Sequence, residues 1–370
     1  MKKTYFIFSL LLVFTSCKQE PADLVIINSN TYTVNSTFEK VTAFAIKDGK
    51  FIGIGTDQEM LKRYKALKTV DAKNKTILPG LIDAHCHFYR MGLQQQKVSL
   101  EGTKSYDEVL AKIVAFQKEK KVAFITGRGW DQNDWEVKAF PTKDKLDALF
   151  PNTPVAVGRV DGHALLVNQA TINLSGITKD TKVTGGEIIL KNGIMTGVLI
   201  DAAMDFVKFP STTKQEAIQG LLDAQKISFS YGLTTVDDAG LGRQTIELID
   251  SLQKKNALKM RIYAMVSGDT QENLDYYIQK GIVKTDRLHV RSFKIYGDGA
   301  LGSRGAAMRT PYADRENHFG ALIYPAKRYQ EIAKQIAASD YQMNTHAIGD
   351  SANTWMLKTY KEVLANTKNR

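Results

Sequence analysis

Apolar and polar positions alternate with two different periods along the chain. Up to about residue 75 the apolar residues come in short runs of strand length: LVIINS at 24–29, TYTV at 31–34, and a hairpin over 41–55 that turns at Asp48-Gly49. Asp-Gly between two alternating runs supplies the positive φ angles that a tight hairpin needs. These pieces predict a small β unit, too small to bury a core by itself. Residues 18–22 (KQEPA) read as a short tether. From Thr76 onward the pattern changes. A strand is predicted over 77–87, and a mixed region from about 88 to 210 carries two short strands, VAFITG at 122–127 and PVAVGRV at 154–160. Then helical and strand periods alternate regularly. A helix over about 214–229 opens at Thr213 with Glu216 three residues on, a capping box, and sets Ile218, Leu221, Leu222 and Ile227 on one face. There follow a strand at 233–240, a helix near 243–255, a strand at 259–266, a helix near 271–280, a strand at 288–299, a helix at about 328–338, a strand at 342–349 and a helix from Ser351.

Strands that alternate with helices in this way form parallel βαβ units. With 77–87 as the first strand, five such units are predicted. A closed (β/α)8 barrel has eight. An open doubly wound sheet is the competing architecture, although no G-x-G-x-x-G follows a strand and no P-loop is present. The predicted organisation is a signal segment over 1–17, a β-sandwich portion over 18–75, and a barrel over 76–370 with an insertion at about 88–210.

Composition changes this picture little. The chain has 370 residues, 43% hydrophobic and 24% charged, an ordinary globular mix. The net charge of +11 is spread along the chain, with no Arg-rich tract and no basic patch interleaved with aromatics, so nucleic acid is not an expected partner. The N-terminus does add something. Lys2 and Lys3 precede an apolar stretch from Tyr5 to Phe14, too short to span a bilayer, and Thr15-Ser16-Cys17 follows. This reads as a secretory signal. Small residues before a cysteine resemble a bacterial lipoprotein processing site, with Cys17 as the lipidated residue; a plain signal peptide is the alternative. The expectation is an exported protein held by a lipid anchor at the periplasmic face or cell envelope. Only Cys86 would then remain, which excludes a disulfide framework.

Candidate chemistry lies at the ends of the predicted strands. His85 and His87 close the first, Lys294 lies in the fourth, and His346 closes the fifth. Residues two apart on a strand share a face, so Asp83, His85 and His87 face one way and Cys86 the other. In a parallel barrel the C-terminal strand ends meet at one rim. Imidazole nitrogens at such a rim suit zinc, whose catalytic sites leave one position open for water.

Taken together, LPGLIDAHCHF, GLTTVDDAG, FKIYGDGALGSRGAAM and THAIGDSAN resemble the amidohydrolase superfamily, and within it family 3, the group that includes N-substituted formamide deformylase. GWDQNDW at 129–135 and VDGHALLVNQAT at 160–171 resemble the inserted region of that family. The resemblance implies a TIM-type barrel and a divalent metal, zinc in first place, as one or two ions. It implies His85 and His87 on the more buried ion, His346 on the second, and Lys294 bridging as a carbamate formed with carbon dioxide. A carbamate requires a neutral amine, hence a buried lysine; the alternative is a Lys294 that seals the barrel through an ion pair. Activated water would then attack a small-molecule amide, N-acyl, N-formyl or cyclic amide substrate at its C–N bond.

Other residues carry two readings each. Asp83 either steers an imidazole or caps the strand end. His163 either reaches substrate or is an ordinary loop residue. Trp130, Asp131 and Trp135 either line the pocket or pack. Arg304 either binds a carboxylate or oxyanion or is a solvated loop charge. Members of the family continue with a further metal-binding His and a catalytic Asp. This chain ends at Lys368-Asn-Arg370, so the expectation is about two-thirds of an enzyme, inactive and poorly soluble by itself. The competing functional class is a non-catalytic ligand-binding lipoprotein. Homo-oligomerisation is left open.

Overall fold

The computed structural model describes residues 18–183, 186–268, 270–299, 301, 305–313 and 316–365. Cys17 and Arg304 lie outside them. The chain divides into two units, 1–81 and 82–370.

In the first unit, strand Glu20–Ile27 runs antiparallel to Ala43–Lys47 and parallel to Tyr64–Asp71, and Lys50–Gly55 completes a four-stranded sheet. The expected hairpin forms, with Asp48 and Gly49 at φ 51° and 71°. Three expectations need correction. The tether is shorter than 18–22, because strand pairing begins at Glu20 with Tyr64 as its partner. A helix, Asp57–Arg63, stands where none was predicted; Thr56 and Glu59 cap it reciprocally, and Met60 packs with Ala22, Val25, Ala43, Ala45 and Tyr64. The strand predicted over 77–87 is two strands, Thr76–Ile77 and Leu81–Cys86, in different sheets. Pro79 has no N–H to give to a ladder, so pairing stops across Leu78-Pro79-Gly80.

The second unit holds two sheets. The inserted region forms six strands rather than the two predicted, in the order Gly186–Lys191, Ile194–Asp201, Ala164–Val167, Val155–Arg159, Ile125–Trp130, Val98–Ser99. The first two of these join at Asn192-Gly193, both at positive φ, a hairpin turn that the strand reading overlooked.

The other sheet carries the regular βα units: β1 (Leu81–Cys86), α1 (Phe88–Gln94), α2 (Lys214–Ser230), β2 (Leu233–Leu241), α3 (Arg243–Lys254), β3 (Arg261–Ser267), α4 (Gln271–Lys280), β4 (Leu288–Tyr296), α5 (Ala326–Ala337), β5 (Gln342–His346) and α6 (Asp350–Leu364). Neighbours in this sheet follow chain order from β1 to β5, and β2–β3, β3–β4 and β4–β5 are parallel. A doubly wound sheet reverses its strand order at a switch point. Here the winding keeps one direction, as in an amidohydrolase barrel, over five units. Val236, Ile262, Ala264, Val266, Phe293 and Ile295 turn toward the helices and join Leu221, Ile246, Leu274, Tyr277, Tyr329 and Ile332 in one core. The opposite face of the strands is thereby left for polar residues.

Candidate metal centre

On β1 the expected alternation holds. The His85 and His87 rings stand edge to face with centroids 6.0 Å apart. Asp83 accepts the backbone N–H of His85 at 3.1 Å, which is its strand-end role. His87 immediately precedes α1, yet its side chain does not cap that helix. Cys86 points to the helix-side core, where burial first, and then the charges of Asp238, Asp83 and Asp237, push its thiol up to about 12. A thiol held there is neither nucleophile nor ligand at neutral pH.

Lys294 sits on the interior face of β4, 5% exposed, in register with Ser267 of β3 and Asn344 of β5. No carboxylate pairs with it among the described residues; its ammonium lies 5.4 Å from the Tyr296 ring centroid. Burial lowers its pKa. The ion-pair reading of Lys294 therefore finds no partner among the described residues.

Tyr296, two residues on and on the same face, is in register with His346 of β5, with ring centroids 5.6 Å apart. The His346 Nε2 is buried, has no hydrogen-bond partner among the described residues, and stands 3.8 Å from Asp298 Oδ1. From β2, a methyl group added at Gly240 would stand 3.4 Å from Tyr296 Oη and 3.7 Å from Lys294 Cγ, so the end of β2 closes on the same residues. The His87 imidazole is held below its usual pKa by partial burial, then by Arg90, His85 and Lys294, which places the lysine charge within reach of β1.

These side chains gather at the C-terminal ends of β1, β4 and β5. Among the described residues, no three His, Cys, Asp or Glu side chains lie close enough to hold one ion. Among the described residues the three imidazoles thus form no single-ion site, and Lys294 lies on a strand between those that carry them. The donor chemistry fits a divalent cation: imidazoles at two strand ends, and between them a buried amine with no carboxylate partner among the described residues. Such an amine is not left unpaired in a folded core without reason.

Two acids gained no role from the sequence. Asp237 and Asp238 lie in the middle of β2. Asp238 is 2% exposed and accepts the Tyr89 N–H at 2.9 Å, tying the start of α1 to β2. Burial raises it to about 6, against the opposing pull of that N–H and of Arg90. Asp237 is raised by burial and by Asp83. The paired acids in VDDAG were the available signal.

The insertion candidates behave differently. Trp130 does not line a pocket. It is fully buried, donates Nε1–H to the Val157 carbonyl at 2.8 Å, and packs on Trp135 and Phe140. A tryptophan whose donor is satisfied inside a core has no surface to offer a substrate. Asp131 pairs with Arg159 at 2.8 Å and accepts the Asn133 N–H at 3.0 Å, so it is engaged within the insertion. Arg159 also contacts Asp161 and Gln132. His163 is exposed in the following turn, where its N–H is accepted by Asp161 at 3.1 Å. His289 begins β4, far from the strand ends, against Tyr263.

The same architecture occurs in a crystal structure of an uncharacterized metal-dependent hydrolase from Pyrococcus furiosus, which superposes with a TM-score of 0.74 at 24% identity over 92% of this chain and 70% of that one. At that identity the likeness concerns the fold. The amidohydrolase family profile matches residues 68–370, and the chain belongs to the amidohydrolase family, in its family 3. The Arabidopsis thaliana protein LONG AFTER FAR-RED 3 is 31% identical over 369 residues, covering 94% of this chain and 63% of that protein. N-substituted formamide deformylase of Arthrobacter pascens is 24% identical over 366 residues, 92% of this chain and 66% of the enzyme. This chain thus spans about two-thirds of the length of these relatives.

Proposed function

We propose that the protein is a metal-dependent hydrolase that cleaves the C–N bond of an amide, N-acyl, N-formyl or cyclic amide compound. The observation that carries this reading is Lys294: a buried amine with no counter-ion among the described residues, on one face with Tyr296 and His346, its charge felt by His87. His85 and His87 would hold a divalent cation, zinc before others, and His346 a second. Burial, which lowers its pKa, favours the neutral Lys294 amine, whose attack on carbon dioxide would give a carbamate and release one proton. The carbamate oxygens would join the two halves of the ligand set. A cation bound there supplies an activated water at neutral pH and polarises a carbonyl. Burial of Lys294 strengthens its electrostatics, while His85 and His87 are open to solvent and so to substrate. The C–N preference is supported by family membership and by the name of the deformylase relative.

Elemental analysis of protein purified with added zinc and bicarbonate tests this reading, together with a hydrolysis screen of N-formyl and N-acyl amines. Zinc at one or two ions per chain is the expected result, with amine release from a version extended to the full length of the relatives. Metal-free protein, or an inert extended version, would contradict it. We propose also that Cys17 carries the lipid of an exported, membrane-anchored form. Mass spectrometry of the N-terminal peptide from a bacterial host should then show a diacylglyceryl-cysteine that Cys17→Ser removes. An unmodified cysteine contradicts the anchor.

A further inference from the structure

Asp298 follows β4 by two residues and is 1% exposed. Its carboxylate accepts three backbone N–H groups: Ala307 at 2.9 Å, Ile348 at 2.9 Å and Gly349 at 2.7 Å. One donor comes from the loop after β4 and two from the turn between β5 and α6. The carboxylate therefore ties the loop beyond β4 to the turn that follows His346. Its Oδ1 also faces His346 Nε2 at 3.8 Å, and that nitrogen is the buried one without a partner.

An ionised carboxylate only accepts, so the nitrogen turned toward it must carry the proton; two lone pairs would otherwise oppose each other in a dry site. A shift of about 1 Å brings the pair to ordinary N–H···O distance. Histidines that bind metal through one nitrogen commonly donate the other N–H to a carboxylate, which fixes the tautomer and orients the ring.

We propose that Asp298 is the positioning residue of His346: it receives the Nε2 proton, fixes that tautomer, and leaves Nδ1 as the nitrogen that takes a cation. The proposal rests on the metal-centre reading but is separable from it. Because the same carboxylate holds both loops, the orientation of the imidazole is coupled to the placement of the chain around Ala307.

Long-range proton–nitrogen NMR of the protein labelled with nitrogen-15 histidine tests the assignment, with His346→Gln identifying the His346 signals. In the metal-free protein the expected state is Nε2-protonated. On zinc addition the Nδ1 resonance should move while Nε2 keeps its proton. Asp298→Asn should weaken zinc binding about 10- to 100-fold in chelator competition. That variant also loses backbone acceptors and can unfold, so the wild-type tautomer is decisive. A His346 protonated on Nδ1, or zinc bound through Nε2, overturns the role of Asp298 and leaves the metal reading standing. An Nε2-protonated His346 with no zinc uptake supports the pairing and sinks the metal reading instead.

Discussion

Two regions of the second unit present polar and aromatic side chains at the ends of parallel strands, and they differ in how those groups are satisfied. In the insertion, Trp130, Asp131, Arg159 and Asp161 all find partners: a carbonyl for the indole, two carboxylates and a glutamine for the guanidinium, and backbone N–H groups for the acids. At the ends of β4 and β5, among the described residues, Lys294 has no counter-ion and His346 Nε2 has no acceptor within hydrogen-bond distance. Both regions carry residue types that suit binding chemistry. Each also leaves a buried donor unpaired, Trp135 Nε1 in the insertion and His346 Nε2 at the strand ends, but only the second buries an amine with no carboxylate partner among the described residues, which is expensive unless something else completes it. Residue type suggests a site; an unmet charge locates it.

This contrast separates stability from binding. Trp130→Ala should show the largest effect, a loss of about 3–5 kcal/mol of unfolding free energy from the cavity it leaves. The folded fraction should retain full zinc capacity in a chelator titration; a folded, stable Trp130→Ala protein with impaired binding would move Trp130 back into the site. Asp238 gives the next effect, with a definite sign in pH. Its folded pKa of about 6 lies above the ordinary value of 3.8, so the folded state keeps a proton that the unfolded chain has already released. Stability is therefore lost as pH rises from about 4 to beyond 6, by roughly 2–3 kcal/mol. Asp238→Asn should lack this loss, so denaturation at pH 4 and pH 7 should show the variant gaining on the wild type by that amount. Equal pH dependence in the two proteins would show that Asp238 is not buried in its charged form. Arg159→Ala is the smallest of the three. Stranding Asp131 should cost about 1–3 kcal/mol, read by denaturant unfolding, with zinc binding unchanged.

Much of the barrel was legible because each βα unit declares itself locally. The periods of 2 and 3.6, the capping box at Thr213 and the two-residue spacing of Asp83, His85 and His87 are short-range facts. What escaped was either too short or too distant. Val98–Ser99 is a two-residue strand with no period to read. Helix Asp57–Arg63 carries one buried residue, Met60, and so shows almost no apolar stripe. Trp130 misled because its place at a strand end says nothing of Val157, Trp135 and Phe140, which enclose it. The clamp at Asp298 depends on N–H groups 9, 50 and 51 residues away, a tertiary arrangement that no local pattern encodes. At the candidate centre, the same-face placement of Lys294 and His346 relative to Tyr296 follows from β4–β5 register, which the sequence could suggest only through the assumption of a barrel.

Zinc stoichiometry of the wild type beside Lys294→Met tests the central claim most directly. The account predicts one or two tightly held ions in the wild type and a substantial loss in the variant, while the metal-free variant unfolds at a higher temperature than the metal-free wild type because an uncompensated buried amine has been removed. Equal zinc content in the two proteins, or a variant that is destabilised, would contradict it.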